Sequence, residues 1–151
     1  MSEHTINRRQ AVRAAAGVAA GSVLVAGAGV GSAHANGGDG LVGAWVVAHT
    51  DAESGETGYG VTNFIEDGNF VVNDFNPPGP TGTGMWEWRD DSRFRAVFWA
   101  GADDGSHYSV HIWGRHDDHK ISGRFTVTAY DPDGNEVGSF DGTFSGKPLT
   151  F

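Results

Sequence analysis

Eight short runs of β-forming residues follow residue 36, and no segment of that region has the periodicity of a long amphipathic helix. The runs are rich in Val, Phe, Trp, Tyr and Thr, and clusters of Gly, Asp, Asn and Pro separate them, as is typical of strands and turns. The sequence therefore predicts an all-β domain with strands at residues 41–50, 58–65, 69–75, 83–88, 93–100, 106–114, 120–130 and 136–145.

The links between these runs have the length and composition of hairpin turns. Asp67-Gly68 suits a tight turn, Asp133-Gly134 suits a type I turn, and residues 89–92 and 116–119 are polar reversals. Only residues 76–80, which contain three prolines, are longer and stiff, and we expect them to run over one end of the structure. Consecutive hairpins favour an antiparallel up-and-down barrel, because closure removes the exposed edges of a meander. A two-sheet sandwich is the alternative architecture.

Alternation within four of the runs supports one buried face. Glycines inside the runs would allow the strong coiling that a small barrel needs. The positions predicted to share the interior face are Phe94, Ala96, Phe98 and Ala100, then Tyr108, Val110 and Ile112, then Ile121, Gly123, Phe125, Val127 and Ala129, and finally Gly138, Phe140, Gly142 and Phe144.

Residues 1–35 differ from the rest and have the features of a twin-arginine export signal. Arg8-Arg9 precedes an uncharged stretch at residues 14–30, and Ala33-His34-Ala35 forms a cleavage site. The stretch is short and rich in Gly and Ala, so a retained membrane anchor is disfavoured. We expect cleavage after Ala35, secretion without a membrane anchor, and a single barrel domain over residues 36–151.

The charge and the cysteine count narrow the possible partners. Loss of the signal would change the net charge from −9 to −11, and such an acidic surface repels nucleic acids and anionic lipids. The chain has no cysteine, so its core alone must stabilise it. No nucleophile elbow or phosphate-binding loop occurs, and the sequence implies no cofactor.

Gly43-Ala44-Trp45 on the first predicted strand resembles the opening Gly-x-Trp of lipocalins, other calycins and the avidin group. The resemblance implies that Trp45 plugs the closed end of a barrel and that a ligand enters at the other end. The lipocalin Thr-Asp-Tyr motif and the helix after the barrel are not found. The chain is more fully similar to small exported actinobacterial proteins with a lipocalin-like barrel. The shared positions are Phe64, Asp67, Gly68 and Phe70, then Gly82, Gly84 and Trp86, then residues 121–125 and 131–134.

Four tryptophans, Trp86, Trp88, Trp99 and Trp113, are the main functional hint. An eight-stranded barrel is either just filled by side chains or holds one small ligand. The indoles are therefore either core filler or the wall of a pocket for a small apolar or aromatic ligand, with Asn73 adding a polar contact.

The histidines raise the question of a metal. His107 and His111 lie about 13 Å apart on an extended strand, too far for one ion. His116, Asp118 and His119 are the better candidates, although their spacing does not fix a complete ligand set. The sequence therefore favours a protein without a metal.

The sequence contains few candidates for catalytic residues. Glu87 and His111 could act as an acid–base pair if both faced the interior. Barrels resembling allene oxide cyclase or dirigent proteins catalyse mainly by holding the shape of an apolar substrate. The preferred interpretation is a barrel that binds a small, largely apolar molecule. The alternatives are a barrel isomerase or cyclase, and a structural or protein-binding module with a filled interior.

Overall fold

The computed structural model describes residues 40–150, which form one closed barrel of eight antiparallel strands in up-and-down order. Each strand pairs with the next, and β1 pairs with β8, which closes the sheet and excludes the sandwich. The predicted all-β barrel is confirmed, whereas the proposed signal at residues 1–35 lies outside the described residues. The strands are β1 Gly43–Asp51, β2 Thr57–Phe64, β3 Asn69–Asn76, β4 Gly82–Trp88, β5 Arg93–Gly101, β6 His107–Asp117, β7 Lys120–Tyr130 and β8 Glu136–Pro148.

The barrel has two different ends. At the closed end lies Trp45, which is only 2% exposed and whose indole Nε1 donates a hydrogen bond of 2.8 Å to the carbonyl of Leu41. The open end carries the links β1–β2, β3–β4, β5–β6 and β7–β8. Residues 77–80 border the interior there, so the prediction that this proline-rich segment runs over one end is confirmed.

The closed-end half of the interior is filled by aromatic rings. The ring of Phe64 lies 4.9 Å from that of Phe70, 5.5 Å from Trp86 and 5.2 Å from Phe94, measured between centroids. These inward positions follow the alternation of the strands, and the four predicted interior sets lie on this same inner face. Burying rings of this size contributes most of a small core's stability.

Strand bounds differ from the prediction mainly at β6 and β8. The reversal expected over residues 116–119 is shortened to two residues, because β6 continues to Asp117 and β7 begins at Lys120. Asp118 makes this possible by adopting a φ of 43°, a left-handed conformation that aspartate tolerates better than most residues. Strand β8 extends to Pro148 because its last residues pair with β1. No helix among residues 40–150 is long and apolar enough to cross a membrane.

Candidate functional site

An interior cavity of about 260 Å³ lies between the aromatic core and the open end. An engineered protein cavity of about 150 Å³ is large enough to bind benzene. The space here therefore suits a small molecule larger than a single unsubstituted ring. Most of its wall is apolar and comes from all strands except β4; the side chains that define it are Val47, Val72, Phe98, Val110, Phe125, Val127, Phe140 and Phe144.

Two ionisable side chains, His49 on β1 and Asp74 on β3, lie next to each other in the cavity lining near the open end. His49 Nε2 lies 3.3 Å from Asp74 Oδ1. The two atoms form no hydrogen bond, and His49 Nε2 is itself buried without a hydrogen-bond partner among the described residues. The pair is about one-third exposed, with side-chain exposures of 32% and 28%.

Glycines on β2 make room for this pair. A methyl group added at Gly58 would overlap the imidazole of His49, and one added at Gly60 would overlap the carboxylate of Asp74. Residues with a Cβ at these positions would displace both side chains. The proline-rich link covers the other side, where the backbone N–H of Gly79 donates to the Asp74 carbonyl at 3.2 Å.

Tyr108 on β6 lines the same cavity and responds to Asp74. Burial raises the pKa of Tyr108 to about 12, and the negative charge of Asp74 adds to the shift. The phenol therefore stays protonated at neutral pH. The neutral hydroxyl of Tyr108 and the carboxylate of Asp74 thus both border the cavity toward its open end.

Two more carboxylates, Asp51 and Glu56, complete the polar part of the lining. Asp51 Oδ1 accepts the backbone N–H groups of Glu53 and Ser54 at 2.7 and 2.8 Å, which fixes the β1–β2 link. We call the region lined by His49, Asp51, Glu56 and Asp74 the mouth of the cavity. Its three carboxylates face a single basic side chain.

The charges of the whole barrel reinforce this pattern. Every Lys and Arg within residues 40–150 lies in the closed-end half of its strand or in a closed-end turn, and the open-end links carry none. The carboxylates at the open end are Asp51, Glu53, Glu56, Asp74, Asp103, Asp104, Asp131, Asp133 and Glu136. The mouth therefore lies in a region of one-signed, negative charge.

The structure places two of the sequence candidates, Trp86 and Trp88, at the closed end. Trp86 is buried, and its Nε1 donates to the carbonyl of Ile65 at 2.9 Å. Trp88 packs edge-on against Trp86, with ring centroids 5.9 Å apart. Both indoles lie beyond Phe64, which lines the cavity, and neither belongs to the cavity lining.

Trp99 and Trp113 lie on the outer face of the barrel. Trp99 is 48% exposed and stacks on Tyr130 at 5.4 Å, and the ring of His107 lies 5.8 Å from it. Trp113 is 42% exposed, with the guanidinium of Arg124 over its ring at 5.2 Å. The four tryptophans are thus not brought together, and none of them borders the cavity.

The remaining candidates for binding and catalysis also face solvent. Asn73 is exposed, and His111 stacks on Trp113 outside the barrel. Glu87 accepts a hydrogen bond of 2.6 Å from Arg95 Nε, and this bond lowers the pKa of Glu87. The condition set for an acid–base pair, that Glu87 and His111 face the interior, is not met.

The metal candidates are separated by the short β6–β7 turn. His116 points into the closed end, where its ring meets Trp45 at 5.7 Å, while Asp118 and His119 are exposed in the turn. Within residues 40–150 no group of three or more His, Asp or Glu side chains is placed to hold a metal ion.

The sequence interpretation did not include His49, Asp74 and Tyr108, which line the cavity, among its candidate site residues. The signal that could have found them is the two-residue alternation itself. Continuing the inward face from Trp45 reaches His49, and continuing it from Phe70 reaches Asp74. A polar residue that continues an apolar face marks the level at which an interior becomes polar.

Comparison of the chain with protein-family models and with curated proteins gives no match. The cavity is therefore the feature of the protein that bears on its function.

Proposed function

We propose that this chain is an exported lipocalin-like barrel that binds a small, largely apolar molecule in its interior. The observation that carries the proposal is the cavity of about 260 Å³ with mainly apolar walls. Such cavities, with a few polar groups at one side, are the usual form of small-molecule sites. Burying about 150 Å² of a flat ligand would contribute roughly 4 kcal/mol before association costs, so the apolar walls alone support weak binding.

The test compares two valine-to-phenylalanine substitutions. Val127 lines the cavity, whereas Val46 faces outward on β1 and is 36% exposed. Val127→Phe should fill much of the space and weaken binding of small aromatic probes at least tenfold, while Val46→Phe should leave it unchanged. Binding is best followed by calorimetry or by the ligand's own signal, because no tryptophan borders the cavity. Equal binding by both variants would place the ligand elsewhere.

A barrel isomerase or cyclase is the second candidate. It is favoured by one observation, the His49–Asp74 pair at 3.3 Å in the cavity wall beside the hydroxyl-bearing Tyr108. An imidazole and a carboxylate at this distance could move a proton on a bound substrate. Recovery of a bound ligand in changed form, abolished by His49→Gln with binding retained, would favour the enzyme. Recovery of unchanged ligand would favour the binding protein.

The third candidate, a structural module with a filled barrel, is the least favoured. Side chains fill only the closed-end half of the interior. Phe64 and Phe94 form the floor of the cavity and leave the space toward the open end empty. A cavity of this kind lowers the stability of the fold because packing contacts are lost. Its presence therefore favours a binding function over a purely structural one.

A further inference from the structure

We infer that the ligand carries a cationic group, such as a primary ammonium, which lies at the mouth between Asp74 and His49 while its apolar body fills the cavity. This inference rests on the proposed function and narrows the class of ligand. Three observations support it: the Asp74 and His49 side chains at the mouth, the carboxylates of the surrounding lining, and the unequal distribution of charge between the two ends of the barrel.

The geometry of the two side chains suits a single ammonium donor. Asp74 Oδ1 and His49 Nε2 are 3.3 Å apart, and the Nε2 atom makes no hydrogen bond within residues 40–150. A neutral imidazole whose Nε2 carries no proton is an acceptor, and an ammonium has three N–H donors. Because Nε2 is itself buried, a rotation of the imidazole would be needed for one ammonium nitrogen to donate to both atoms at once. A carboxylate ligand at the same place would meet Asp74 with like charge.

Neighbouring groups strengthen the preference for a cation. Asp51 and Glu56 also line the mouth, and the protonated hydroxyl of Tyr108 adds no positive charge. Among residues 40–150, His49 is the only basic side chain that lines the cavity. An ammonium at this level thus lies in a lining that carries three carboxylates, and its charge-assisted hydrogen bond to Asp74 would be stronger than a neutral one.

The distribution of charge over the barrel acts in the same direction. The open-end links contain no Lys or Arg, whereas every such residue that the structure describes lies in the closed-end half of the barrel. A cleft lined by one sign of charge concentrates counter-ions and accelerates their association. Cationic molecules would therefore accumulate at the end where the cavity opens.

The experiment uses three probes of matched size: 2-phenylethylamine, 2-phenylethanol and phenylacetate. Calorimetry on the full chain should give an affinity for the amine about tenfold above that for the alcohol, with the acid weakest. Asp74→Asn should bring the amine to within about twofold of the alcohol and leave the alcohol unchanged. Asp103→Asn, which removes a carboxylate outside the cavity lining, is the matched control and should keep most of the preference.

A second measurement does not depend on the folding of a variant. Raising NaCl from 20 to 300 mM should weaken amine binding several-fold and leave alcohol binding unchanged, because salt screens only the charged contact. If the alcohol binds and the amine binds no more tightly, the cationic group is wrong while the cavity proposal stands. Retention of the full amine preference by Asp74→Asn overturns the assigned contact. If no probe binds, both proposals fail together.

Discussion

Trp45 combines a large apolar surface with one polar atom, and the barrel provides for both. The ring is 2% exposed at the closed end, where it forms a T-shaped pair with the ring of His116 at 5.7 Å between centroids. Its Nε1 atom donates to the carbonyl of Leu41, so the burial leaves no orphaned donor on this side chain. Buried indoles are usually stabilising only when this N–H finds a partner.

Replacing Trp45 with alanine removes the plug and leaves a cavity, so Trp45→Ala should lower the free energy of unfolding by about 3–5 kcal/mol. Trp113→Ala on the outer face is the matched control and should cost less than about 1 kcal/mol, mainly the contact with Arg124. Urea denaturation followed by circular dichroism measures both. Equal, small losses would place Trp45 outside the core.

Tyr108 predicts a loss of stability in strong alkali. Its pKa is raised to about 12, so between pH 10 and 12 the unfolded chain ionises this phenol while the folded chain does not. The associated stability is present below pH 10 and should fall by about 2–3 kcal/mol as the pH rises through this window. Chemical denaturation at pH 9 and 11.5 measures the fall, and Tyr108→Phe should reduce it. Identical pH profiles for parent and variant would contradict the assignment.

At the residue scale, the sequence predicts whether a side chain of a strand faces the interior or the solvent. Because Phe98 faces inward, its neighbour Trp99 must face outward, and the parity of Ile112 assigns Trp113 to the outer face in the same way. Depth along the axis is different, since it depends on the stagger between strands that forms only when the sheet closes. Parity therefore puts Trp86 inside the barrel without showing that it lies at the closed end.

Glycines inside the strands let neighbouring elements approach closely. A methyl group on Gly84 of β4 would overlap the backbone carbonyl of Val97 on β5, which cannot move without shifting the strand. At Gly138 of β8, by contrast, such a group would meet nothing within 4 Å. The glycine-rich composition of the strands thus has a packing cause at some positions and none at others.

The contrast gives a prediction for the strands. Gly84→Ala should destabilise the barrel by roughly 1–3 kcal/mol, the usual cost of overpacking, because backbone rather than side chain must give way. Gly138→Ala should be neutral or stabilising by a few tenths of a kcal/mol, since alanine restricts the unfolded chain. Thermal and urea denaturation of the two variants side by side would decide the matter. A Gly84→Ala protein as stable as the parent would show that β4 and β5 are not so close.

Strand number and order follow from the sequence because each link contains turn-forming residues at hairpin spacing. The end of β6 was harder to predict from the sequence, because the composition of a polar stretch such as His116-Asp117-Asp118-His119 is typical of a loop. In the folded protein His116 pairs with Ile121, and pairing with the partner strand outweighs the low β-propensity of the segment.

At the scale of the whole molecule, the empty volume was the hardest property to predict. It is the difference between the space enclosed by eight strands and the volume of all inward side chains, and neither is set by any one residue. A group of aromatic rings gathers at the closed end around Phe64. The cavity lies toward the open end, where valines share the inner face with Phe98, Phe125, Phe140 and Phe144.

Export is a prediction about the chain as a whole and rests on residues 1–35. Replacing Arg8-Arg9 with two lysines should leave uncleaved protein in the cytoplasm, because the twin-arginine route depends on this pair. The parent should be cut after Ala35 and recovered outside the cell. Immunoblots of cell fractions with mass spectrometry of the mature N-terminus provide the measurement. Normal export of the lysine variant would show that another route is used.

The unequal distribution of charge between the two ends should make the barrel sensitive to salt. Carboxylates crowd the open end, whereas at the closed end Arg93 bonds Asp90 and Arg95 bonds Glu87. Repulsion between like charges at the open end opposes folding, and dissolved ions screen it. We therefore expect the melting temperature at neutral pH to rise between 20 and 300 mM NaCl.

Two single substitutions separate this effect from general salt stabilisation. Asp133→Asn removes a charge from the β7–β8 link, which contains no Lys or Arg, and should raise the melting temperature at 20 mM NaCl by roughly 1–3 °C. Asp91→Asn removes one beside Arg93 and Arg115 at the closed end and should leave the melting temperature unchanged or lower it. The difference between the two variants should shrink at 300 mM NaCl, because it arises from screened interactions between surface charges. Equal shifts at both salt concentrations would show that the ends of the barrel do not differ electrostatically.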